Sequence, residues 1–488
     1  MKHKALKNTM VIFLLTTRIY LPSQNTPTDK LNYSAEELKQ DFAVLRASLE
    51  EAHPGLYRYK TKAFMDSLFI ASELSLVKPM SDREFTIFLF KVTSQIGDGH
   101  LKVVPPKVRL DSLDEGPTAI PFQVHYIQNK LFVKRNFSNI PDVDFLGAEI
   151  ISINGHLIKD FLREFLLIFP SDGINQTHKY RAISAMRWFT RYYYILYGYS
   201  ESYEVKYVPM NENIHKMATI KGLHFDRMLA IRKERYPQLV NEAPVEFRID
   251  PDKKHAYLRI SSFDKGLIKK NGISYSKFLK NTFKNLEKEH IDHLILDLRN
   301  NGGGTDEYGK ELFSYFTDKN FDYYESIWMK KESFVFFKYT NRPDAKAPKG
   351  MLKANAVGSF DNVKHPNYGK QVYSKPTYKG HIYVLINGGC FSTTCEFLSV
   401  LHYNTKAVFI GEESGGGYYG NCSGPTPDLI LPNSKVRLEL PLMSYNMAVK
   451  NYTPADRGLV PDYVIMPIIA EIINNNDVEM NFVKSMIQ

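Results

Sequence analysis

His293-Leu-Ile-Leu-Asp-Leu-Arg-Asn-Asn-Gly-Gly-Gly304 is the stretch on which the fold turns. A short, nearly continuous apolar run bounded by glycines reads as a strand buried on both faces. The pattern from Asp306 to Phe316 then reads as a helix. The glycines reach conformations closed to other residues. They also leave backbone N–H groups unscreened beside a helix N-terminus, a good cradle for an oxyanion or a phosphate. The loop is not a nucleotide-phosphate loop of the Gly-Lys-Ser/Thr kind, because Lys310 is displaced, and its glycine spacing does not match a dinucleotide fingerprint. Read alone, the segment is equally a tight strand–helix turn.

Working outward, the same alternation recurs. Val245–Ile249 and His255–Ile260 read as strands and 275–288 as a helix. Ile382–Ile386 is another buried strand, followed by a helix from Ser392 to Tyr403 and a short strand at Val408–Ile410. Strands alternating with helices predict βαβ units around a central sheet over 244–470. Asn474-Asn-Asn-Asp477 breaks the chain before a tail helix within 471–488, and 340–380, rich in proline, glycine and lysine, reads as an exposed excursion.

Upstream the periods change. Residues 32–103 read as a helical domain: Ser34-Ala-Glu-Glu37 and Ser81-Asp-Arg-Glu84 are capping boxes, followed by Phe42, Leu45 and Leu49 and by Phe85, Phe88, Val92 and Ile96 at helical spacing. Gly97 supplies a stop, and the turn Gly97-Asp-Gly99 delivers His100. Residues 117–210 are β-rich. Gln128-Asn129 lies between two alternating runs as a hairpin turn does. Gly147-Ala-Glu-Ile-Ile-Ser-Ile-Asn-Gly155 resembles the central strand and turn of a PDZ domain, a module that binds chain ends by adding a strand to a sheet edge; the alternative is an ordinary strand–turn–helix. The aromatic stretch from Trp188 to Tyr199 reads as core.

Composition bounds the rest. The 488 residues are 43% hydrophobic and 24% charged, enough for a large core in several domains. Three cysteines cannot make a disulfide scaffold or a multi-cysteine zinc domain. The net charge of +10 is spread along the chain without a basic block, which argues against nucleic-acid binding. Lys2, Lys4 and Lys7 precede the apolar run Met10–Leu15, and Leu21-Pro-Ser23 follows. This reads as a signal peptide over 1–23, hence export to a periplasm or the cell exterior. The other reading is a cytoplasmic tail. No segment is long and apolar enough for a stable membrane span.

Four further motifs could carry chemistry. In Ile386-Asn-Gly-Gly-Cys-Phe-Ser-Thr-Thr-Cys-Glu396, Ser392 stands at a helix start. The helix dipole there favours a developing alkoxide, although a serine at that place is also an ordinary N-cap. His100 follows a turn and can face a cleft. Gly411-Glu-Glu-Ser-Gly-Gly-Gly417 is a flexible loop after a strand, and Asp456-Arg-Gly-Leu-Val-Pro-Asp462 leads into a last strand.

Together, in this order and spacing, these segments resemble the tail-specific, or C-terminal processing, serine peptidase family, in particular its tricorn-like branch. That family also includes the repeats of interphotoreceptor retinoid-binding protein. Its Asp-Leu-Arg-Asn-Asn-x-Gly-Gly is matched by 297–304 and its Phe-Ser-Ala-Ala-Glu-Glu-Phe segment by 391–397. Its Gly-Glu-x-Thr/Ser-x-Gly is matched by 411–416 and, more loosely, its Gly-Val-x-Pro-Asp by 458–462. Asp98-Gly-His100 matches the branch's Asp-Gly-His turn. The resemblance covers roughly 35–470. It implies an α+β and α/β multidomain protein with a C-terminal sheet domain of ClpP/crotonase-like type. Two departures stand out. The bacterial processing peptidases carry a lysine base where this chain has Gly417, and the branch's glutamate falls at Ala455, with Asp456 beside it.

The resemblance thus implies a serine endopeptidase acting on unfolded or C-terminally exposed polypeptides, with no cofactor or metal. Ser392 is the expected nucleophile and His100 the base. Asp456 is the expected carboxylate, with Glu413 and Glu396 as rivals. Gly303, Gly304 and Thr393 are the expected oxyanion donors. Because His100 and Ser392 are far apart in sequence, the site is expected between the helical region and the sheet domain. The alternatives are a non-catalytic binder of peptides or apolar ligands, a small-substrate esterase or amidase, and a thiol enzyme using Cys390 or Cys395.

Overall fold

In the computed structural model, which describes residues 32–107, 109–111, 116, 119–239 and 242–487, the apolar run is the strand His293–Asp297, third in a six-stranded sheet. The sheet order is Val245–Ile249, Ala256–Ile260, His293–Asp297, His381–Ile386, Val408–Gly411, Tyr463–Val464. The first pair is antiparallel and the other four pairings are parallel. Both faces are covered, as a continuous apolar strand demands. Leu294 and Leu296 belong to the main core. Ile295, with Tyr257, Tyr383, Leu385 and Ile410, packs on the other face against Val483. Val483 lies on the tail helix Val478–Ile487, so the tail closes the second face of the sheet.

The four parallel pairings bring the carboxyl ends of strands 293–297, 381–386 and 408–411 to one edge, where open α/β sheets place their ligands. The helices Asp306–Phe313 and Thr393–Asn404 start at that edge. A second, five-stranded sheet contains Tyr324–Met329, Met443–Met447 and Gly420–Ser423. Leu352–Ala354 and Phe360–Asn362 extend it. The 340–380 excursion therefore contributes strands and buries Asn362 and Asn367, although Val357 and Val372 stay exposed.

Both expected capping boxes form, at Ser34/Glu37 for helix Ala35–Ala52 and at Ser81/Glu84 for helix Asp82–Thr93. A 3-10 turn, Ser94–Ile96, ends at Gly97 with φ 75. This left-handed residue turns the chain toward Asp98-Gly-His100. The helical region is sewn into the rest of the molecule. Its strand Lys102–Val104 pairs antiparallel with Arg437–Glu439, and Asp41 accepts from the Ser434 amide. That pairing anchors the chain immediately after His100.

The middle region is an antiparallel sheet, Phe122–Ile127, Lys130–Asn136, Glu149–Ile153, Ser202–Val208, Lys216–Lys221. Gln128 and Asn129 both have positive φ, the signature of a two-residue hairpin turn. The helix Met186–Tyr197 buries Phe189, Tyr192, Tyr193 and Tyr194, as the aromatic run predicts. The helix Thr177–Ser184 lies along the first strand. Ser184 Oγ accepts from the Tyr126 amide, and Tyr180 stacks on Tyr126 with centroids 4.0 Å apart. No described helix is long and apolar enough to cross a membrane. The expected signal peptide over 1–23 lies outside the described residues.

Candidate active site

Ser392 is the residue before helix Thr393–Asn404, the N-cap place, yet its side chain makes no cap hydrogen bond. Its backbone sits at φ 56, ψ −128, a sparsely populated conformation for a residue with a Cβ. Such a sharp strand-to-helix turn lifts the hydroxyl clear of the backbone. The hydroxyl lies 3.1 Å from His100 Nε2. The ordinary capping role is therefore set aside in favour of a contact between residues 292 positions apart.

Phe391 sets the height of the imidazole. Its ring stacks on His100 (4.6 Å, 26°) and, more closely, with His178 (4.3 Å, 17°). Gly99 is required beneath it, since a Cβ there would lie 2.7 Å from Phe391 Cζ. Burial pushes the His100 imidazole down to about 4, against the pull of Asp98. It is therefore neutral at pH 7, the state a general base needs.

The glycine loop lies directly against the serine. A Cβ on Gly303 would be 2.8 Å from Ser392 Cβ and 3.0 Å from the Thr393 nitrogen. The Phe391 amide donates to the Asn301 carbonyl (3.0 Å), and Thr393 Oγ1 donates to the Gly304 carbonyl (3.0 Å). Gly303's own N–H is given to Asn301 Oδ1 (3.0 Å). Among the described residues, the N–H groups of Gly304 and Thr393 have no partner within the chain. The charged pair in this motif is architectural. Arg299 holds Asp297, Asp477 and Glu479, which ties the loop to the tail helix.

None of the three expected carboxylates reaches His100. Asp456 meets the neighbouring loop through its backbone carbonyl, which accepts from Ile174 (2.9 Å). Glu413 is engaged by Arg457, by the Gly458 amide and by Asn175 Nδ2. Glu396 accepts from Tyr324 and Asn421, and burial pushes it up to about 7. The groups beside the histidine are Asp98 and Asp172: one oxygen of each and one ring nitrogen of His100 lie within 4.8 Å of one another. Asp98 Oδ1 accepts from the His100 amide (2.7 Å), and its other oxygen is 2.9 Å from His53 Nε2. Against burial, His53 and His100 hold Asp98 down at about 2. Asp98 stands in the quoted turn. Asp172 and His178 come from Ser171-Asp-Gly-Ile-Asn-Gln-Thr-His178, where the Asp-Gly pair signals a turn but nothing in the sequence reveals its destination.

His53, Asp98 and Cys422 also bring three metal-type ligand atoms within 4.8 Å of one another. The half-buried Arg58 guanidinium stands beside Cys422 and Asp98, and its charge opposes a cation there. Burial pushes the Cys390 thiol well up and Cys395 to about 12. Cys390 donates to the Leu298 carbonyl (3.0 Å) and Cys395 to the Cys390 carbonyl (3.1 Å). Both pack as inert small groups behind the elbow rather than as thiolates.

A serine elbow, a neutral histidine at hydrogen-bond distance and a glycine loop at the carboxyl edge of a parallel sheet define a serine-type peptidase. The profile described as Peptidase family S41 matches residues 254–465 of the chain. Solved structures of similar fold include mature CPAF, at TM-score 0.60 and 14% identity over 93% of this chain and 96% of that chain. Mature CPAF complexed with lactacystin matches at TM-score 0.60 and 14% identity over 93% and 98%. No curated protein matches the chain. The fold is thus a mixed α/β multidomain arrangement like that of these structures.

Proposed function

We propose that the protein is a serine endopeptidase of unfolded or C-terminally exposed polypeptides, with Ser392 as nucleophile and His100 as base. The observation that carries this reading is the 3.1 Å approach of His100 Nε2 to Ser392 Oγ on an elbow that makes no cap bond. A hydroxyl attacks an amide only if its proton leaves in the transition state. The Ser392 oxygen bonds to the scissile carbonyl carbon as its proton passes to Nε2, giving an imidazolium. That proton then goes to the leaving amine nitrogen as the C–N bond breaks. Water repeats the sequence on the acyl-enzyme and restores both side chains. The uncommitted amides of Gly304 and Thr393 are the donors for the oxyanion, and Gly303 lets them approach by having no side chain.

The site lies where the helical region, the middle region and the sheet domain pack together, and such an enclosed place suits an extended chain better than a folded one, which favours unfolded substrates. The PDZ-like reading of the middle region adds capture of a C-terminus. The charged and apolar N-terminus supports export. The non-catalytic binder does not account for a strained serine held against a neutral histidine. The test is cleavage of casein by wild type, Ser392→Ala and His100→Ala, with fluorophosphonate labelling of Ser392. Loss of cutting in both variants sustains the reading. A wild type that neither cuts nor labels, or a Ser392→Ala variant that still cuts, overturns it.

A further inference from the structure

The segment 171–178 leaves the middle region and is stitched to several loops of the site. The Gly173 amide donates to the Gly97 carbonyl (2.9 Å) and the Ile174 amide to the Asp456 carbonyl (2.9 Å). Asn175 Nδ2 donates to Glu413 Oε1 (3.0 Å) and to the Ser414 carbonyl (2.8 Å). His178 lies against Phe391, the ring that also carries His100. At its centre, Asp172 is 2% exposed. One of its oxygens accepts from Gly99, the residue before His100 (2.8 Å), and the other from Gly417 (2.9 Å). Gly417 stands where related peptidases carry their lysine base. Asp172 thus bridges the turn that presents the histidine and the glycine loop of the sheet domain.

Asp98 is committed to its own turn and to His53. Among the described residues, Asp172 has only backbone hydrogen-bond donors, so its charge is available to the histidine. His100 Nδ1 is buried without a hydrogen-bond partner among the described residues. Resting on the Ser392–His100 reading, we infer that Asp172 is the positioning residue for His100: it fixes the turn that holds the imidazole and balances the charge that the imidazole gains in the transition state. The middle region therefore completes the catalytic site.

The surroundings give this role a pH signature. Asp172 is faced by Asp98 and His100 from the turn, Arg58 and Tyr59 from the loop after the first helix, Cys395 from the serine's helix and Cys422 from a strand of the second sheet. Burial, with Asp98 beside it, pushes the Asp172 carboxyl up to about 7. His100 is neutral well below that pH, so it cannot produce a rise in activity near neutrality, whereas ionisation of Asp172 can. A carboxylate about 5 Å from an imidazolium at an effective dielectric of about 20 is worth roughly 10²–10³-fold in rate.

The test is kcat, KM and fluorophosphonate labelling of Ser392 from pH 5 to 9 in wild type, Asp172→Asn and Asp172→Glu. Folding is checked by circular dichroism, and Ser392→Ala and His100→Ala run alongside. Wild type is expected to rise through about pH 7. Asp172→Asn is expected to lose roughly 10²–10³-fold in kcat at pH 8 with KM little changed, and to lose the rise; Asp172→Glu is expected to recover at least about tenfold over Asn. An Asp172→Asn enzyme within about threefold of wild type, with the same profile, overturns the inference while the Ser392–His100 reading stands. Retained cleavage in Ser392→Ala or His100→Ala sinks that reading instead. If Asp172→Asn does not fold, the wild-type labelling profile decides: a limb near pH 7 supports the inference, and a flat profile down to about pH 5 overturns it.

Discussion

Three adjacent glycines in the loop beside Ser392 should respond to alanine in three different ways. Gly302 is exposed, and a Cβ there meets nothing within 4 Å; Gly302→Ala is expected to lie within about 0.5 kcal/mol of wild type in stability and within twofold in kcat. At Gly303, φ is 97 and a Cβ would stand 2.7 Å from the Phe391 carbonyl oxygen and 2.8 Å from Ser392 Cβ. The loop must retreat from the serine by several tenths of an ångström. The backbone strain costs about 1–3 kcal/mol. Misplacing an oxyanion donor raises the barrier by about 3–4 kcal/mol, or 10²–10³-fold in kcat. At Gly304, φ is 143 and the Cβ would fall 2.3 Å from the Phe263 carbonyl carbon and 2.4 Å from the Asp264 nitrogen. Both are backbone atoms, so the cost falls on folding, at about 4 kcal/mol or more. The assay pairs steady-state cleavage of an unfolded fluorogenic substrate with thermal melting. Equal loss of activity at all three positions, or a Gly303→Ala enzyme with unchanged kcat, would refute this account of the loop.

Arg299→Ala should cost about 3–5 kcal/mol in denaturant unfolding, because it leaves Asp297 and Glu479 buried without their cation; proteolytic nicking near 471–488 should appear first, as the tail helix loses its anchor. Glu396 is held near 7 by burial, with Asp306 adding to the rise. Its folded pKa is above its unfolded one, so its contribution is present at low pH and is lost as pH rises from the unfolded value through about 7. Glu396→Gln should therefore gain of order 1–3 kcal/mol relative to wild type between pH 5 and pH 8, read as the difference in Tm shift; an equal shift at both pH values would refute the assignment. Cys390→Ala and Cys395→Ala should keep kcat/KM within a few fold while melting lower, and abolition of cleavage by either would restore the thiol alternative.

Much of the sheet domain was legible because its signals are local. The buried strands 293–297 and 381–386 carry nearly continuous apolar runs, and a capping box or a glycine stop is written within four residues. Ser392 and His100 could be named because each stands in a motif with a fixed local shape. The carboxylates that lie beside His100 could not be found in the same way. Asp456 was favoured for its position beside a familiar turn, yet only its backbone meets the site, whereas Asp172 arrives from another region through hydrogen bonds to Gly99 and Gly417. An Asp-Gly turn in sequence carries no information about which distant amides its carboxylate will meet. The strands at 352–354 and 360–362 were missed for a related reason, since their partners are one another and Tyr324–Met329, in a sheet completed by strands beyond 419.

The serine's two readings, capping residue and nucleophile, differ by one torsional decision. A capping serine takes extended φ/ψ and turns its oxygen back to the helix amides, as Ser34 and Ser81 do at φ −64 and −69. Ser392 at φ 56 cannot do so without unwinding the turn that Gly303 and Phe391 hold in place. Giving up the cap bond costs about 1 kcal/mol, and the backbone conformation costs of order 1–3 more. These sums must be recovered from packing elsewhere, and the contacts around the elbow supply it: Phe391 between two imidazoles, Cys390 and Cys395 filling the space behind, and Gly415 and Gly416 hydrogen-bonded to Cys390 and Cys395. His178 belongs to the middle region, so the strain at the nucleophile is held partly by a contact between regions. Loosening that contact should relax the elbow toward the capping conformation and separate Ser392 from His100, whatever happens to the peptidase core itself. His178→Ala tests this directly: it touches no proposed catalytic group except through Phe391, yet it should lower the rate of fluorophosphonate labelling of Ser392 by at least tenfold while leaving the sheet domain's cooperative melt in place. Labelling at the wild-type rate would show that the sheet domain holds the elbow alone.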